Sequence, residues 1–510
     1  MYVSVYSGAF HGIDSFLVKA EVDISPGLPV MELIGCLSKE ASESRERIHV
    51  ALKNNGIVIP PMRITVNLSP ADRPKSGTGF DLPITVGLLT AMGEIPAKSI
   101  ENTLFLGELG LNGEIKPVRG ILPVIQMAAD MGIHTCVVPK DNEKEALAIK
   151  NIDVIGVTHL SQIKQGLNDG FESIGISKGF TSWGENITEF KDDMADITGQ
   201  QTVKRAAEIA AAGFHHMMII GPPGSGKTML ARRMPSIMPP LTFQESKEVS
   251  SVYSICGKLI GGKLLEQRPF VAPHHTTTVA GLIGGGRIPH PGAISLAHNG
   301  VLFLDEFTEF PRFIIDALRQ PMEDRKVEIA RSIDSITLPA NFLLVTSLNP
   351  CPCGYYPNSK KCRCDPSRVK KYLGKVSGPL VDRIDLCVEA DEMPIKDLVE
   401  FEKGEPSSKI RKRVMKARKM QERRFEGRTD IFFNGDMTSE DIRIYCKLGN
   451  AEKNMIMDSF NVLGISGRSY GKIVKTARTI ADLDGSDSIE MEHIQEAIFY
   501  KSAVKNYWDI

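Results

Sequence analysis

The stretch HMMIIGPPGSGKTMLARRM, from His216 to Met234, joins a short apolar run to a glycine-rich turn and then to a helix-like segment. Its turn matches the pattern G-x-x-x-x-G-K-[ST] and lies between a strand and a helix, where a phosphate-binding loop has to be. Glycines allow the backbone to wrap so that its N–H groups face phosphate oxygens, and the helix dipole adds to the attraction. The predicted loop consists of Gly221, Pro222, Pro223, Gly224, Ser225, Gly226, Lys227 and Thr228.

Two further strand-like runs end in polar side chains suited to ATP hydrolysis. GVLFL is followed by Asp305 and Glu306, and FLLVTSL is followed by Asn349. Polar groups at the carboxyl ends of parallel strands lie beside the ligand crevice of an α/β sheet. We therefore expect ATP and Mg²⁺ as cofactors, with Lys227 on the β- and γ-phosphates and with Thr228 and Asp305 on the metal. Glu306 would act as the general base, and Asn349 would orient the attacking water.

The pattern of the whole chain predicts an α/β protein of several domains. Continuous apolar strands separated by helices indicate a parallel sheet covered on both faces, and residues 394–510 have helical periodicity with little strand signal. RITVNLSP and HTCVVPK near the N-terminus read as strands, and residues 120–132 as an amphipathic helix. The predicted divisions are an N-terminal α+β domain at 1–167, a linker at 168–193, a P-loop sheet domain at 194–393 and a helical lid at 394–510.

Composition excludes several classes of protein. The 510 residues include 61 basic and 62 acidic ones, so the net charge of −1 leaves any nucleic acid to be held by a local patch. The N-terminus has no signal-peptide pattern, and no uncharged run is long enough for a membrane helix. Nine cysteines without a disulfide pattern favour the reducing cytoplasm.

Several segments together closely resemble the magnesium-chelatase-like AAA+ ATPases, and in particular the bacterial YifB/ComM family. They are ITGQQTVKRAAEIAAAG, GPPGSGKT, PGAISLAHNGVLFLDEF, SLNPCPCG and SGPLVDRIDL, and the resemblance extends over practically the whole chain. It implies a homo-oligomeric ring, usually a hexamer, with each ATP site between two subunits. It also implies that Arg383 is a finger reaching a neighbour, that Arg468 is a sensor on the helical lid, and that Ile197 and Gln200 contact adenine. A planar donor that is always protonated suits the negative charge that develops during phosphoryl transfer. For either arginine, the alternative is an ordinary surface ion pair.

Four cysteines crowd the segment that follows Asn349. Cys351, Cys353, Cys362 and Cys364 form C-x-C-x8-C-x-C, and four thiolates on a short loop suit a structural Zn²⁺ site. Reduced free thiols and a redox switch are the alternatives.

Residues 1–167 resemble the Lon-protease domain in PKSGTGFDLPI and GELGLNGEIKPVRG. Lon-type proteases use a Ser–Lys dyad, but Leu122 and Val124 stand here where the protease pattern carries lysines. Thr78 is a hydroxyl without a partnered base, so we predict no peptidase activity.

Two functions remain compatible with these patterns. The first is an ATP-driven motor on single-stranded or branched DNA, since the family resemblance implies branch migration during competence. The second is a remodelling ATPase like the magnesium-chelatase motor, acting on a protein partner. The basic segment from Lys409 to Arg428 is read either as a phosphate-binding surface or as a solvated helical face. His274 and His275 are read as caps of a local turn, with contact to a substrate as the alternative.

Overall fold

The computed structural model describes residues 1–171, 175–178, 190–286, 289–330, 335–392, 403–463 and 467–508. For residues 178, 260, 460–463, 467, 468 and 505 it describes the backbone alone. The chain divides into two compact units. Unit 1 contains residues 1–185, 242–265 and 330–337, and unit 2 contains residues 186–241, 266–329 and 338–510.

Unit 1 is built around a mixed sheet of eight strands with helices packed against it. From one edge to the other the strands are Ser177–Lys178, Asp153–Val157, Thr135–Pro139, Thr103–Phe105, Tyr2–His11, Asp14–Ser25, Arg63–Ser69 and Val30–Ile34. Its helices are Lys39–Ser42, Ser44–Asn54, Asp81–Ala91, Ile121–Asp130, Glu143–Ala146, Leu160–Asp169 and Phe243–Ile255. The strands predicted from RITVNLSP and HTCVVPK and the helix predicted at 120–132 are confirmed within one or two residues.

The sheet of unit 1 includes a strand from the segment predicted to be a linker. Ser177–Lys178 pairs antiparallel with Asp153–Val157 at the sheet edge. The helix Phe243–Ile255 also belongs to unit 1, although it follows the phosphate loop in sequence. Ser254, near the end of this helix, accepts a hydrogen bond at its carbonyl oxygen from the backbone N–H of Gly120 at 3.2 Å.

Unit 2 contains a five-stranded sheet in which every pair of neighbours is parallel. The spatial order is Phe270–Val271, Val301–Leu304, Leu343–Leu348, Met217–Ile220 and Leu386–Glu389. The central three strands are buried throughout, as expected for a sheet covered on both faces. The α/β class, the parallel sheet and the C-terminal helices agree with the sequence prediction.

The helices of unit 2 pack against this sheet and form the C-terminal bundle. They are Gln201–Gly213, Lys227–Ile237, Val279–Ile283, Ala293–Leu296, Arg312–Ala317, Arg319–Asp324, Pro366–Leu373, Gly378–Val381, Ser407–Arg424, Ser439–Tyr445, Asn450–Leu463, Gly467–Asp484, Met491–Ser502 and Lys505–Trp508. One hydrophobic core links the sheet to the C-terminal helices, so these helices are part of the same compact unit. Among the described residues, no helix is both long enough and apolar enough to cross a bilayer.

A buried polar cluster lies beside the central strand of unit 2. The backbone N–H of His216 donates to Asp385 at 2.9 Å, and Lys472 donates to the other oxygen of the same carboxylate at 2.7 Å. Burial opposes ionisation of Asp385, but Lys472 keeps its pKa below the usual range. Burial lowers the pKa of His215 to about 4 and that of His216 to about 3. Both rings are therefore neutral in the folded protein at physiological pH.

From this cluster we predict that the free energy of unfolding of unit 2 decreases below pH 6.5. Between pH 6.5 and 4 the unfolded chain takes up protons on His215 and His216 that the folded chain does not bind, so the free energy of unfolding falls with pH. Each histidine should contribute about 2 kcal/mol of loss between pH 7.5 and pH 5. Thermal unfolding of the His215→Gln/His216→Asn variant should depend on pH less steeply than that of the wild type. Equal slopes for the two proteins would contradict this.

Candidate functional site

The phosphate loop connects the strand Met217–Ile220 to the helix Lys227–Ile237, as the sequence predicts. Gly224 and Gly226 have φ values of 78° and 82°, a left-handed region that side chains other than glycine's rarely adopt. Because the helix begins at Lys227, the N–H groups of its first turn have no carbonyl four residues earlier to bind. The start of this helix therefore offers backbone N–H donors to an anion.

Lys227 lies inside this loop. Its Nζ donates to the carbonyl oxygens of Gly221 and Pro222 at 2.8 Å each, and lies 3.3 Å from Oδ1 of Asn349. Burial lowers the pKa of Lys227 to about 8, although the carboxylates of Asp305 and Glu306 act in the opposite direction. The two carboxylates therefore do not offset the cost of burying the ammonium group. The approach of a polyanion would favour the protonated form of Lys227.

Thr228 and Asp305 form a pair of oxygen donors beside the loop. Oγ1 of Thr228 donates to Oδ2 of Asp305 at 2.7 Å, and Oδ1 of Asp305 accepts from the hydroxyl of Ser347. A hydroxyl and a carboxylate at this separation are the ligand types that Mg²⁺ prefers. The residues predicted to hold magnesium therefore lie together and fit that ion.

Glu306 follows Asp305 with its backbone in the left-handed region, at φ 50° and ψ 48°. Its side chain is 60% exposed, and Oε2 lies 3.7 Å from Nδ1 of His275. The ring of His274 instead accepts from the backbone N–H of Thr276, as a turn-capping residue would. The sequence did not reveal that His275 and Ser347 contact the acidic pair, because both contacts depend on which segments become neighbours in the fold.

Gln200 and Ile197, the two residues predicted to contact adenine, differ in their position relative to the phosphate loop. Nε2 of Gln200 donates to the carbonyls of Asp391 at 2.7 Å and of Ser225 at 3.4 Å, so Gln200 lies against the loop. The side chain of Ile197 is 1% exposed and packs in the core, so it could contact a nucleotide only through its backbone.

The two arginines implied by the family resemblance are not part of this chain's loop. Arg383 pairs with Glu323 at 2.7 Å and donates to the carbonyl of Pro379, and its buried Nε has no hydrogen-bond partner within the described part of the chain. It lines a cavity of about 1210 Å³ to which no residue of the phosphate loop contributes. Arg468 is the second residue of the helix Gly467–Asp484, and its side chain lies outside the described part of the chain.

The four cysteines of the C-x-C-x8-C-x-C segment come together in one cluster. The Sγ atoms of Cys351, Cys353, Cys362 and Cys364 all lie within 4.8 Å of one another. Cys351 is 3.3 Å from Cys353 and 3.8 Å from Cys362, and Cys353 is 3.6 Å from Cys362. Four sulfurs bound tetrahedrally at about 2.3 Å from zinc would be about 3.8 Å apart. The donor set therefore fits zinc.

The cysteine loop rests directly on the phosphate loop. Gly354, in the turn that begins at Cys351, has φ 87°, and a Cβ atom there would lie 2.4 Å from Cδ of Pro223. Asn349 precedes this turn by only two residues. A displacement of the cysteine cluster is therefore expected to shift Asn349 and the phosphate loop as well.

The residues compared with the Lon catalytic dyad lie in unit 1. Leu122 and Val124 are buried in the apolar helix Ile121–Asp130. Thr78 donates its hydroxyl to Glu108, and Lys75 is buried with its Nζ bound to the backbone carbonyls of Pro70 and Arg73. The only lysine near Thr78 in sequence is thus held by other groups.

A P-loop followed by an acidic pair and an asparagine, at one edge of this five-stranded parallel sheet, defines an ATPase of the AAA+ class. Family models of the magnesium-chelatase subunit ChlI match residues 193–398 and 20–142, and a family model of its C-terminal part matches residues 404–501. The chain belongs to the YifB/ComM family of magnesium-chelatase-like AAA+ ATPases. Membership implies ATPase activity that uses Mg²⁺.

Curated relatives match the chain along practically their whole length. The chain is 40% identical to the competence protein ComM of Haemophilus influenzae, covering 98% of this chain and 97% of that protein. It is 38% identical to YifB of Escherichia coli, covering 98% and 96%. A partial match to Lon protease 2 of Bacillus subtilis has 29% identity over 153 residues, which is 28% of this chain.

The contact between Gly354 and Pro223 predicts that a small substitution in the cysteine loop will disturb ATP hydrolysis. In Gly354→Ala the new methyl group must displace Pro223, so we expect kcat/KM for ATP to fall about tenfold or more. Gly427→Ala is the matched control, because Gly427 has φ 81° but no atom of the residues that the structure describes lies within 4 Å of the point that its Cβ would occupy. Steady-state ATPase assays of both variants test this, and equal activities would show that the contact is not transmitted to the site.

Proposed function

We propose that this protein is an ATP-hydrolysing ring motor that acts on single-stranded or branched DNA, in a competence-related branch-migration or helicase role. The observation that carries the proposal is the similarity to competence protein ComM over 98% of the chain. An intact arrangement of Lys227, Thr228, Asp305 and Glu306 supports it, because a motor requires hydrolysis as well as binding. DNA and ATP would both be available in the cytoplasm, which we propose as its location.

Each predicted site residue takes a role from its position. Lys227 and the loop N–H groups would bind the β- and γ-phosphates, with Gln200 and the backbone of Ile197 on the adenosine side. Thr228 and Asp305 would hold Mg²⁺, which neutralises charge on the phosphates. Glu306 would take a proton from the attacking water, which Asn349 orients.

The remaining charge stabilisation would come from a neighbouring subunit. Arg383 has a buried Nε without a partner and no hydrogen bond to its own phosphate loop among the described residues, which suits a donor that completes another subunit's site. Arg468 would be the sensor. A homo-oligomeric ring, which we propose to be a hexamer, is the simplest assembly that gives every site such a neighbour.

We further propose that the four modules predicted from sequence have separate duties. Residues 194–393 would form the motor and residues 394–510 its lid, whereas the Lon-like residues 1–167, joined through 168–193, would serve assembly or substrate contact without peptidase activity. The burial of Leu122 and Val124 and the bound state of Lys75 support the last point.

A second candidate is a remodelling ATPase that acts on a protein partner, as the magnesium-chelatase motor does. The match of three chelatase-subunit family models favours it. The two candidates differ in what should stimulate ATP hydrolysis.

Forked DNA should stimulate ATP hydrolysis by the wild-type protein, and Glu306→Gln should bind ATP but lose turnover by at least about 100-fold, because it lacks the base. Glu309→Gln is the matched control, since Glu309 is also exposed and lies three residues further along. Nucleotide binding and phosphate release, each with and without a forked duplex, are the measurements.

A wild-type rate that is indifferent to forked, single-stranded and four-way-junction DNA would favour the remodelling ATPase. Normal turnover in Glu306→Gln would refute the assignment of the base, whatever the substrate.

We propose that the cysteine cluster holds one structural zinc ion, because four protein thiolates satisfy its coordination. Purified wild-type protein should contain about one equivalent of zinc, and Cys353→Ser/Cys362→Ser should contain much less and hydrolyse ATP more slowly. Cys36→Ser, which changes an isolated exposed cysteine, should retain the metal. Elemental analysis decides, and a wild-type content far below one equivalent would contradict the proposal.

A further inference from the structure

The long basic helix Ser407–Arg424 has two faces with different electrostatic surroundings. On the inner side its arginines are held by partners within unit 2. Arg413 pairs with Glu405 at 2.7 Å and also with Glu208, and Arg424 pairs with the buried Asp482. Arg411 donates to the carbonyl of Ser236. The positive charges on this side of the helix therefore already have partners within unit 2.

The other side presents an exposed row of cations that we call the basic stripe. It consists of Lys409, Lys412, Lys416, Lys419 and Arg423. Their spacing of three, four, three and four residues places all five on one side of the helix. All five are exposed, and among the described residues none has a carboxylate within ion-pairing distance. The nearest acidic residue on the helix, Glu422, pairs instead with Arg418 at 3.3 Å.

This arrangement is unfavourable for the helix alone. Cations three or four residues apart repel each other, and the stripe contains four such successive pairs. The neighbouring inner face shows that carboxylates are readily placed opposite cations in this unit. The stripe therefore has the character of a surface whose counter-charge comes from outside the chain.

The dimensions of the stripe suit an extended polyanion. Fourteen residues separate Lys409 from Arg423, so the row is about 21 Å long at 1.5 Å per residue. One strand of B-form DNA carries a phosphate about every 3.4 Å along the axis, so about six phosphates pass along that length. Four flexible lysines and one arginine, with no buried polar group among them, fit contacts to the backbone and not to base edges.

We propose that the basic stripe binds the phosphate backbone of duplex DNA without sequence preference, as an anchoring surface separate from the ATP site. The inference rests on the proposed action on DNA and adds the surface that performs the binding. Each lysine that contacts a phosphate releases bound counterions, so each should contribute about 0.9 to the slope of log K against log salt concentration.

The test compares two full-length triple variants with the same change in net charge. Lys412→Gln/Lys416→Gln/Lys419→Gln removes the middle of the stripe, and Lys53→Gln/Lys98→Gln/Lys116→Gln removes three exposed lysines of unit 1. Binding of a 30-base-pair duplex is measured by fluorescence anisotropy over a salt series. The stripe variant should bind at least about tenfold more weakly at 100 mM salt, with a salt slope smaller by about 2 to 3. The control variant should differ from the wild type by less than about twofold.

Three further readings separate this inference from the proposed function and from misfolding. ATP hydrolysis without DNA and the melting temperature should be unchanged in both variants, and Lys412→Arg/Lys416→Arg/Lys419→Arg should bind DNA as the wild type does. A wild type that binds DNA while the stripe variant keeps its affinity and salt slope overturns this inference alone. A wild type that binds forked or single-stranded DNA but not the duplex also overturns this inference alone, whereas a wild type that binds none of the three overturns the proposed function as well. Loss of binding to phosphatidylserine vesicles without loss of DNA binding would assign the stripe to a membrane instead.

Discussion

The register between three parallel strands is the constraint on which the ATP site depends. Ile220 is paired with Leu348 and Leu304 with Thr346, so the next residue on each strand emerges at the same sheet edge. This alignment sets Asp305 opposite Ser347, which donates a hydrogen bond to it, and brings Asn349 beside the phosphate loop. A slip of one residue would turn each of these side chains to the opposite face of the sheet. The chemistry is thus set by hydrogen bonds between backbones.

The same sheet edge also carries the features that the active-site motifs do not contain. The cysteine loop continues from the Asn349 strand and returns against Pro223, so the cysteine cluster is joined to a segment that touches the phosphate loop. His275 approaches Glu306 from the segment before the acidic strand. Both contacts join segments that are distant in sequence. They bring the cysteine loop and His275 next to the residues proposed for hydrolysis.

Sequence patterns predicted the parts of this structure that follow from local chemistry. The phosphate loop, the three central strands and the helical C-terminal part could be found because apolar periodicity and glycine placement are local signals. The contacts of Ser347, His275 and Gly354 could not, because they depend on which strands become neighbours. The basic segment is an intermediate case. Its sequence left a phosphate-binding surface and a solvated helical face as alternatives, and the ion pairs of Arg413 and Arg424 showed which of its cations are held by the fold.

The division of the chain into units also affects how the protein is synthesised. Unit 1 takes residues 242–265 and 330–337 from segments that follow the first strand of the unit 2 sheet. A ribosome must therefore produce more than half of the polypeptide before unit 1 has all its parts, and until then the helix Ile121–Asp130 lacks its contact with the helix Phe243–Ile255. For the same reason, expression of residues 1–185 alone would yield a fragment lacking part of its own core, so dissection of this protein by simple truncation would mislead.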